Sequence, residues 1–420
     1  MKKNKIFISI ASYRDKELLP TIENCIENAK NPKNLVFGIS RQFNKDDGFD
    51  DLKKYKKRKS FKIIETDYRK SLGVCDARNK IQSLYDNEEY YFQLDSHHRF
   101  VKDWDFKLKK TLNDLIKDGS KKPILSSYLP SYNPEETKEN RIDEVWRTYI
   151  DRYMPEGPVF IYPETIENWK KTSKPERARF ISGHFIFCFG NFVKEVPYDP
   201  KLYFHGEETS LAVRAFTHGF DLFHLHRPWV WHFYGRDNHS RHWDDIKKWE
   251  DLNNKSFKRY KTLLGVDDIK RKYIPKYGLG KERTLKEYEI YSGLRFKDRK
   301  IHQDTIDRKP PPVKFVDKKS YESQYVSQFK YCIDIFKGSF SENDYDVWAI
   351  AFKNKNGKEI ARLDASEDEI KDLFSEDPKD DFIRLWRKFD TSEVPVSWLV
   401  WPHSKSKDWL EIIEGTIPTV

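Results

Sequence analysis

The 420-residue chain carries 78 Lys and Arg against 68 Asp and Glu, a formal net charge of +10, with 37% hydrophobic and 15% aromatic residues. That length fits roughly two or three domains at about 150 residues each, and the apolar fraction fills sizeable cores. No run of about 18 apolar residues occurs, which excludes a membrane-spanning helix, and no DNA- or RNA-binding module accompanies the basic charge, which argues against nucleic acid.

The basic start, Met1 to Lys5, leads into Ile6 to Ala11, which is too short for a secretory core and is broken by Ser12-Tyr13-Arg14-Asp15. It reads as a first strand and not as a signal peptide. Cys25, Cys75, Cys188 and Cys332 are widely spaced and form no CxxC pair. This argues against a zinc ribbon or a disulfide scaffold and fits a reducing, cytoplasmic setting.

Along the first 110 residues strand and helix signals alternate. Lys5 to Ile10 is a strand. Asp15 to Ala29 is a helix with apolar Leu18, Leu19, Ile22 and Ile26, and its Pro20 is tolerated only near the first turn. Leu35 to Ser40 and Phe61 to Glu65 are strands, Val74 to Tyr85 a helix and Tyr90 to Leu94 a buried strand. The basic run Lys53 to Lys59 lies on an exposed connection; it is a solvated face, or a patch for anionic headgroups at the membrane surface or for an acidic partner. This alternation predicts an α/β fold with a largely parallel sheet. In such sheets ligands gather at the carboxyl ends of strands. Ser12-Tyr13-Arg14, Ser40-Arg41-Gln42, Thr66-Asp67-Tyr68 and Asp95-Ser96-His97 all fall at such ends.

Asp95-Ser96-His97 is the most informative of these. Side chains two apart on a strand project to the same side, so Asp95 and His97 face one divalent cation while Ser96 turns away. A cation there would bridge a diphosphate and neutralise charge on a departing nucleotide. The plain alternative is that Asp95 caps a turn and His97 is solvated.

From Ile124 to Trp169 prolines and Gly157 punctuate the pattern, which predicts long loops over the site. Phe180 to Phe189 is strongly apolar. A helix from Glu207 to Thr217, a strand near Leu222-Phe223 and the segment Trp229 to Tyr234 follow. Eight of the twelve histidines fall between His184 and His242. A helix spans Trp243 to just before Gly265, and Thr284-Leu-Lys-Glu287 is a capping box for a short helix through Tyr291. Pro310-Pro311-Pro312 marks a stiff boundary. Beyond it, strands at Trp348 to Phe352 and Ile360 to Leu363 flank the hairpin signal Asn356-Gly357. Ser366 to Glu369 caps another helix, and Val396 to Trp401 is a strand. This small α+β or β-rich module holds five tryptophans, as core or as a face for a sugar or a partner. The expected organisation is a catalytic domain over 1–265, a connector over 266–312 packing on it, and an accessory domain over 313–420. The sequence leaves the oligomeric state open.

The chain resembles the polypeptide α-N-acetylglucosaminyltransferases of the cytoplasmic hydroxyproline-modifying type, and more distantly the mucin-type polypeptide GalNAc-transferases. The matching pieces are Ile8 to Arg14, Gly73 to Asn79, Gln93 to Phe100, Ser182-Gly-His-Phe185, His205-Gly-Glu-Glu208 and His232-Phe-Tyr-Gly-Arg236. They run in the family's order over roughly residues 5 to 300, and His98 departs from the more usual residue after the D-x-H. The resemblance implies a GT-A (Rossmann-like) fold, a UDP-sugar donor, most often UDP-GlcNAc, a Mn²⁺ or Mg²⁺ ion, and retention of anomeric configuration. Carried over by position, Asp95, His97 and His232 are the metal ligands. Ala11, Ser12, Tyr13 and Arg14 bind the nucleotide, with Arg78 and Asp95 at the sugar or diphosphate. A carboxylate of Glu207 or Glu208 orients the donor sugar or the acceptor hydroxyl. The implied activity is a metal-dependent retaining glycosyltransferase acting on a protein or glycan hydroxyl. Surface polysaccharide synthesis with another UDP-sugar is the alternative within that class. A nucleotidyltransferase is the alternative outside it, although Ser9 to Asp15 lacks the glycine-rich phosphate loop of that class.

Overall fold

The computed structural model describes residues 2–135, 140–235, 240–313, 318–375, 380–391 and 393–418. The chain divides into two compact units. The first comprises 1–151, 158–297 and 304–316, and the second 152–157, 298–303 and 317–420. The division is therefore not a single cut, because two short excursions of the earlier chain belong to the second unit. Pro310 itself belongs to the first unit, where the Arg179 guanidinium donates to Lys309 O at 2.9 Å and Pro310 O at 3.2 Å.

The first unit is built on β1 (Lys2–Tyr13), β2 (Leu35–Phe43), β3 (Phe61–Asp67), β4 (Glu88–Leu94), β5 (His98–Phe100), β6 (Pro123–Leu125), β7 (Trp146–Tyr153), β8 (Val159–Thr165), β9 (Phe185–Phe189), β10 (Asp221–Phe223) and β11 (Val230–His232). Its helices include α1 (Leu18–Glu27), α2 (Lys53–Lys56), α3 (Val74–Gln82), α4 (Trp104–Lys117), α5 (Phe192–Glu195), α6 (Glu207–Thr217), α7 (His242–Asp245), α8 (Trp249–Leu264) and α9 (Leu285–Ser292). Seven strands form one mixed sheet in the order β10-β6-β9-β4-β1-β2-β3. β4, β1, β2 and β3 are parallel, with Ile6 opposite both Leu35 and Tyr90, while β9 runs antiparallel between β4 and β6. This is the α/β architecture that the alternating pattern predicts, and no helix among the described residues is long and apolar enough to cross a membrane.

The strand order places the site. Chain order runs outward from β1 through β2 to β3, and β4 then returns to the other side of β1. At such a reversal the crossover connections diverge and leave a crevice at the carboxyl ends. The exits of β1 and β4, Ala11 to Arg14 and Asp95 to His97, flank it.

Two helices differ from expectation. α1 starts at Leu18 and not at Asp15, because the Asp15 carboxylate is held by Ser96 and His97 and accepts from Glu17 N at 2.9 Å. Pro20 then sits in the first turn, where its missing N–H costs nothing. The helix expected from Trp243 is broken into α7 and α8. The apolar segment Phe180 to Phe189 supplies β9, whose Phe185 and Phe187 pack against Phe92.

α1 also fixes β5. Thr21 Oγ1 accepts from His98 N at 2.8 Å and Asn24 Oδ1 from Phe100 N at 2.9 Å. Beneath them Trp104 is fully buried, packs at a tilt against Phe92 and Phe100, and donates from Nε1 to Cys25 O at 2.9 Å.

In the second unit, Tyr325–Phe336 pairs antiparallel with Phe382–Asp390 over nine residue pairs. Tyr345–Lys353 pairs with Ser397–Ser404 and with Glu359–Arg362 across the Asn356-Gly357 turn. Trp348 and Trp398 lie in its core, whereas Trp386 and Trp409 stay 44% and 42% exposed. The module divides its tryptophans between core and surface.

Trp104→Ala removes the ring that supports both β4 and β5 and should cost about 3–5 kcal/mol. Guanidinium unfolding followed by circular dichroism measures it; an unchanged midpoint would refute this role for Trp104.

Candidate active site

The crevice widens into a cleft of about 510 Å³ lined by Ala11, Tyr13, Arg78, Asp95, His97, Glu207, Glu208 and His232, among others. Eight of the ten expected site residues therefore converge, from both flanks of β1, from α3, from α6 and from β11. Ser12 is buried with no partner for its hydroxyl. The Arg14 guanidinium is engaged by Asp47 at 2.7 Å and Asp245 at 2.8 Å. Arg236, at the end of one matching piece, lies outside the described residues.

Antiparallel pairing of β5 with β11 sets His98 opposite His232 and carries a residue 135 positions downstream beside the Asp95-Ser96-His97 turn. One ligand atom from each of Asp95, His97 and His232 lies within 4.8 Å of the others. Asp95 Oδ2 is 3.4 Å from His232 Nε2 and 3.9 Å from His97 Nε2. His232 is buried, yet its Nε2 has only this long contact to Asp95, short of good hydrogen-bond geometry, and its Nδ1 makes no hydrogen bond among the described residues. A buried polar atom left unpaired is costly and calls for an explanation. A metal ion on this carboxylate and two imidazoles would supply one, so the residues fit the group.

Asp15 fixes the orientation of His97, with its Oδ2 2.7 Å from His97 Nδ1. A proton on Nδ1 leaves the Nε2 lone pair facing Asp95 and His232, the arrangement in which a carboxylate orients a metal-ligating imidazole. Burial would raise the Asp15 carboxyl, but its contacts with His97, Ser96 and the Glu17 amide outweigh it and hold the group below the usual carboxylate range. At Asp95 burial again pushes upward, while His232, Arg78 and His97 together hold the carboxyl well below its usual range. Burial, reinforced by His97, keeps His232 in the neutral form that a metal requires.

His98 has a different role. Its Nε2 accepts from Asp95 N at 3.2 Å and its Nδ1 donates to Trp231 O at 3.0 Å, so a fully buried, neutral ring clamps β4's exit to β11. His184, packed against His232 with ring centroids 4.5 Å apart, accepts from Leu129 N at 3.2 Å. Among the clustered histidines these two are structural.

Arg78 joins the metal side of the cleft to α6. It donates to Asp95 Oδ1 at 2.6 Å, to Tyr198 Oη at 3.2 Å and to Glu207 Oε1. Glu207 is further held by Tyr198 Oη at 2.8 Å and the Cys75 thiol at 3.6 Å. Glu208 is held only by Gly183 N, at 2.7 Å, and through a long contact to Ser182 Oγ at 3.5 Å. Burial pushes the Glu208 carboxyl up to about 7 against the Gly183 bond, and the neighbouring Glu207 charge adds to the rise. Both acids line the cleft, but Glu207 is engaged by Arg78, Tyr198 and Cys75 whereas Glu208 keeps little beyond the Gly183 bond. Gly206 precedes them at φ +89°, and a Cβ there would meet the Tyr260 ring at 2.8 Å, so glycine is required for this entry into α6.

Asp15, Tyr198 and Asp245 hold site residues in place and were not singled out by the sequence, whereas Gly183 lies in the matching piece Ser182-Gly-His-Phe185. Asp15 directly follows the β1 exit, which was its only sequence signal. The sequence model of the glycosyltransferase (GlcNAc) family matches residues 5–56 and 48–298 of this chain. No curated protein matches it. Among solved structures, GalNAc-T7 with UDP, GalNAc and Mn²⁺ is similar at 15% identity and a TM-score of 0.45, over 72% of this chain and 56% of that one. S. aureus TarS 1–349 in complex with UDP-GlcNAc is similar at 13% identity and a TM-score of 0.36, over 56% of this chain and 60% of that one. S. aureus TarS is similar at 11% identity and a TM-score of 0.35, over 98% of this chain and 77% of that one. The chain thus spans less than two thirds of the first two.

A Cβ on Gly183 would stand 2.8 Å from Arg78 Nη1 and 2.9 Å from Glu207 Oε1. Gly183→Ala should therefore break the Arg78–Glu207 pair and lower the melting temperature; an unchanged value would contradict the packing. Glu208 gives a pH test on metal-free protein. Its folded value near 7 exceeds the ordinary 4.5, so the folded state takes up a proton between them and Glu208's stability contribution falls as pH rises across that window. Melting temperatures from pH 4.5 to 7 should decline less in Glu208→Gln than in the wild type.

Proposed function

The chain belongs to the glycosyltransferase (GlcNAc) family, and on that premise we propose that it is a GT-A, divalent-metal-dependent, retaining enzyme transferring GlcNAc from UDP-GlcNAc to a protein or glycan hydroxyl. The observation that carries this reading is the convergence of Asp95, His97 and His232 at the sheet's reversal point, with His232 Nε2 turned to Asp95 Oδ2 at 3.4 Å. One carboxylate and two imidazoles make a hard-to-borderline donor set, which suits Mn²⁺ and admits Mg²⁺. Bound there, the ion would supply positive charge to the diphosphate as UDP departs.

The chain's own residues account for the remaining tasks. Arg78, fixed between Asp95 and Glu207, holds a second positive charge near the leaving group without needing to reorganise. The backbone at Ala11 and the ring of Tyr13 line the nucleotide side of the cleft. Tyr13 Oη and Arg14 both bind Asp245, so they act on the nucleotide site by anchoring α7 beside it. Glu208 is the carboxylate that orients the donor sugar or the acceptor hydroxyl, and Glu207 positions Arg78. Two successive displacements would need a carboxylate nucleophile beneath the anomeric carbon. Glu207 is occupied by Arg78 and Tyr198. Retention by a front-face route, in which the leaving phosphate takes the acceptor proton, is what the family resemblance implies. The four cysteines, none in a disulfide, support a cytoplasmic setting.

UDP release from UDP-GlcNAc, measured after EDTA treatment and again with Mn²⁺, tests the reading. Turnover should require the metal, and Asp95→Ala or His97→Ala should lower it about 100-fold or more. His232→Ala should lower it less, since two ligands remain. Calorimetric Mn²⁺ binding should weaken in all three variants. Full turnover in EDTA would refute the metal assignment, and a preference for another UDP-sugar would correct the donor.

A further inference from the structure

A second concavity, of about 700 Å³, adjoins the cleft within the same unit. Tyr203 lines both, and Leu72 on this side is followed directly by Gly73 on the other. One wall is a face of α8, where Leu252, Lys255, Arg259 and Thr262 recur at helical spacing. Tyr203 N bonds Ser256 Oγ at 3.0 Å and Lys272 N bonds Thr262 O at 3.1 Å, so the flanking segments are tied to that helix. The floor is apolar: Leu202 and Ile274 are buried in it, and Leu72 stands 50% exposed at its edge.

Its rim is basic and uncompensated. Lys201, Lys255, Lys258 and Lys272 are exposed and make no ion pair among the described residues. Only Arg259 is neutralised, by Asp199 at 2.6 Å. The basic run on α2 is arranged differently, with Lys53, Lys54 and Lys56 paired to Asp51, Glu23 and Glu65. Four free ammonium groups around a concave apolar wall repel one another and focus a positive potential that an anion would relieve. An anionic glycan would answer the charge but would leave the leucine and isoleucine floor without apolar partners. A polypeptide with Asp or Glu interleaved with Leu or Phe answers both.

We propose that this groove binds an acidic, apolar-bearing polypeptide segment flanking the hydroxyl residue that enters the cleft, so that the acceptor is a protein recognised by its acidic flank. The proposal rests on reading the cleft as a glycosyl-transfer site. Fluorescence anisotropy on the full chain, with Mn²⁺ and UDP, tests it with a labelled serine peptide whose flank alternates Glu and Leu. Three comparisons accompany it: the same peptide with Lys for Glu, a heparin-derived oligosaccharide, and phosphatidylserine-containing vesicles. The acidic peptide should bind and the basic one should not. The double variant Lys255→Glu/Lys258→Glu, its fold checked by circular dichroism, should weaken peptide binding about tenfold or more. Undiminished binding in that variant would overturn the proposal. So would absent peptide binding, or the oligosaccharide or the vesicles binding more tightly than the peptide. UDP release from the donor alone reports on the cleft separately. Peptide binding without UDP release would defeat the transfer reading, and UDP release without peptide binding would defeat the groove.

Discussion

The buried Arg78 guanidinium is the constraint on which the cleft is built. A charge removed from water must be paired, and Arg78 finds its partners on two other elements, Asp95 at the exit of β4 and Glu207 at the start of α6. The same contacts draw in Tyr198, which receives Gln93 Nε2 at 2.6 Å, while Gln93 also donates to Gly183 O at 2.6 Å. Gly183 in turn donates to Glu208. One polar network therefore spaces the metal-side carboxylate, the acceptor-side carboxylates and the loop before β9. Both terminal nitrogens of Arg78 are engaged in this network, whereas its buried Nε makes no hydrogen bond among the described residues. The paired end holds its charge in place without reorganisation, which is what a site stabilising a transient charge needs.

A second constraint is the short pairing of β5 with β11. Three residue pairs suffice to bring His232 beside Asp95 and His97, because His98 and Thr21 lock β5 from either side. His98, which departs from the residue more usual after a D-x-H, is here a buried clamp between Asp95 N and Trp231 O. Its ring could not be charged without losing one of those bonds.

The net charge is not spread evenly in its consequences. On α2 the lysines meet carboxylates and the charge is largely spent in surface pairs, which contribute little. Around the groove beside the cleft four lysines make no ion pair among the described residues, and an apolar floor lies beneath them. Surface charge next to a binding cleft bears more on which partner is recruited, and how fast, than on the fold.

The sequence by itself determined the α/β alternation, the strand ends that carry polar residues, and the span of α6 from Glu207 to Thr217. Each follows from short-range periodicity, since a strand alternates its faces and a helix repeats every 3.6 residues whatever surrounds them. Ser96, expected to turn away from Asp95 and His97, instead lines the same cleft, because β4 ends at Leu94 and its alternation does not extend through residues 95–97. Most of the site residues were legible too, through motifs spread from Ala11 to His232. What only the tertiary structure decided are the relations between those motifs. Ser12 and Tyr13 are neighbours, yet one is buried away from the cleft and the other lines it. Glu207 and Glu208 are chemically alike in sequence and were separable only once Arg78, from a helix 129 positions earlier, was seen to claim the first. Asp15 looked like a helix start until His97 and Ser96 took its carboxylate. In each case the deciding partner is remote in the chain, and a local pattern carries no information about which remote group a buried charge will find.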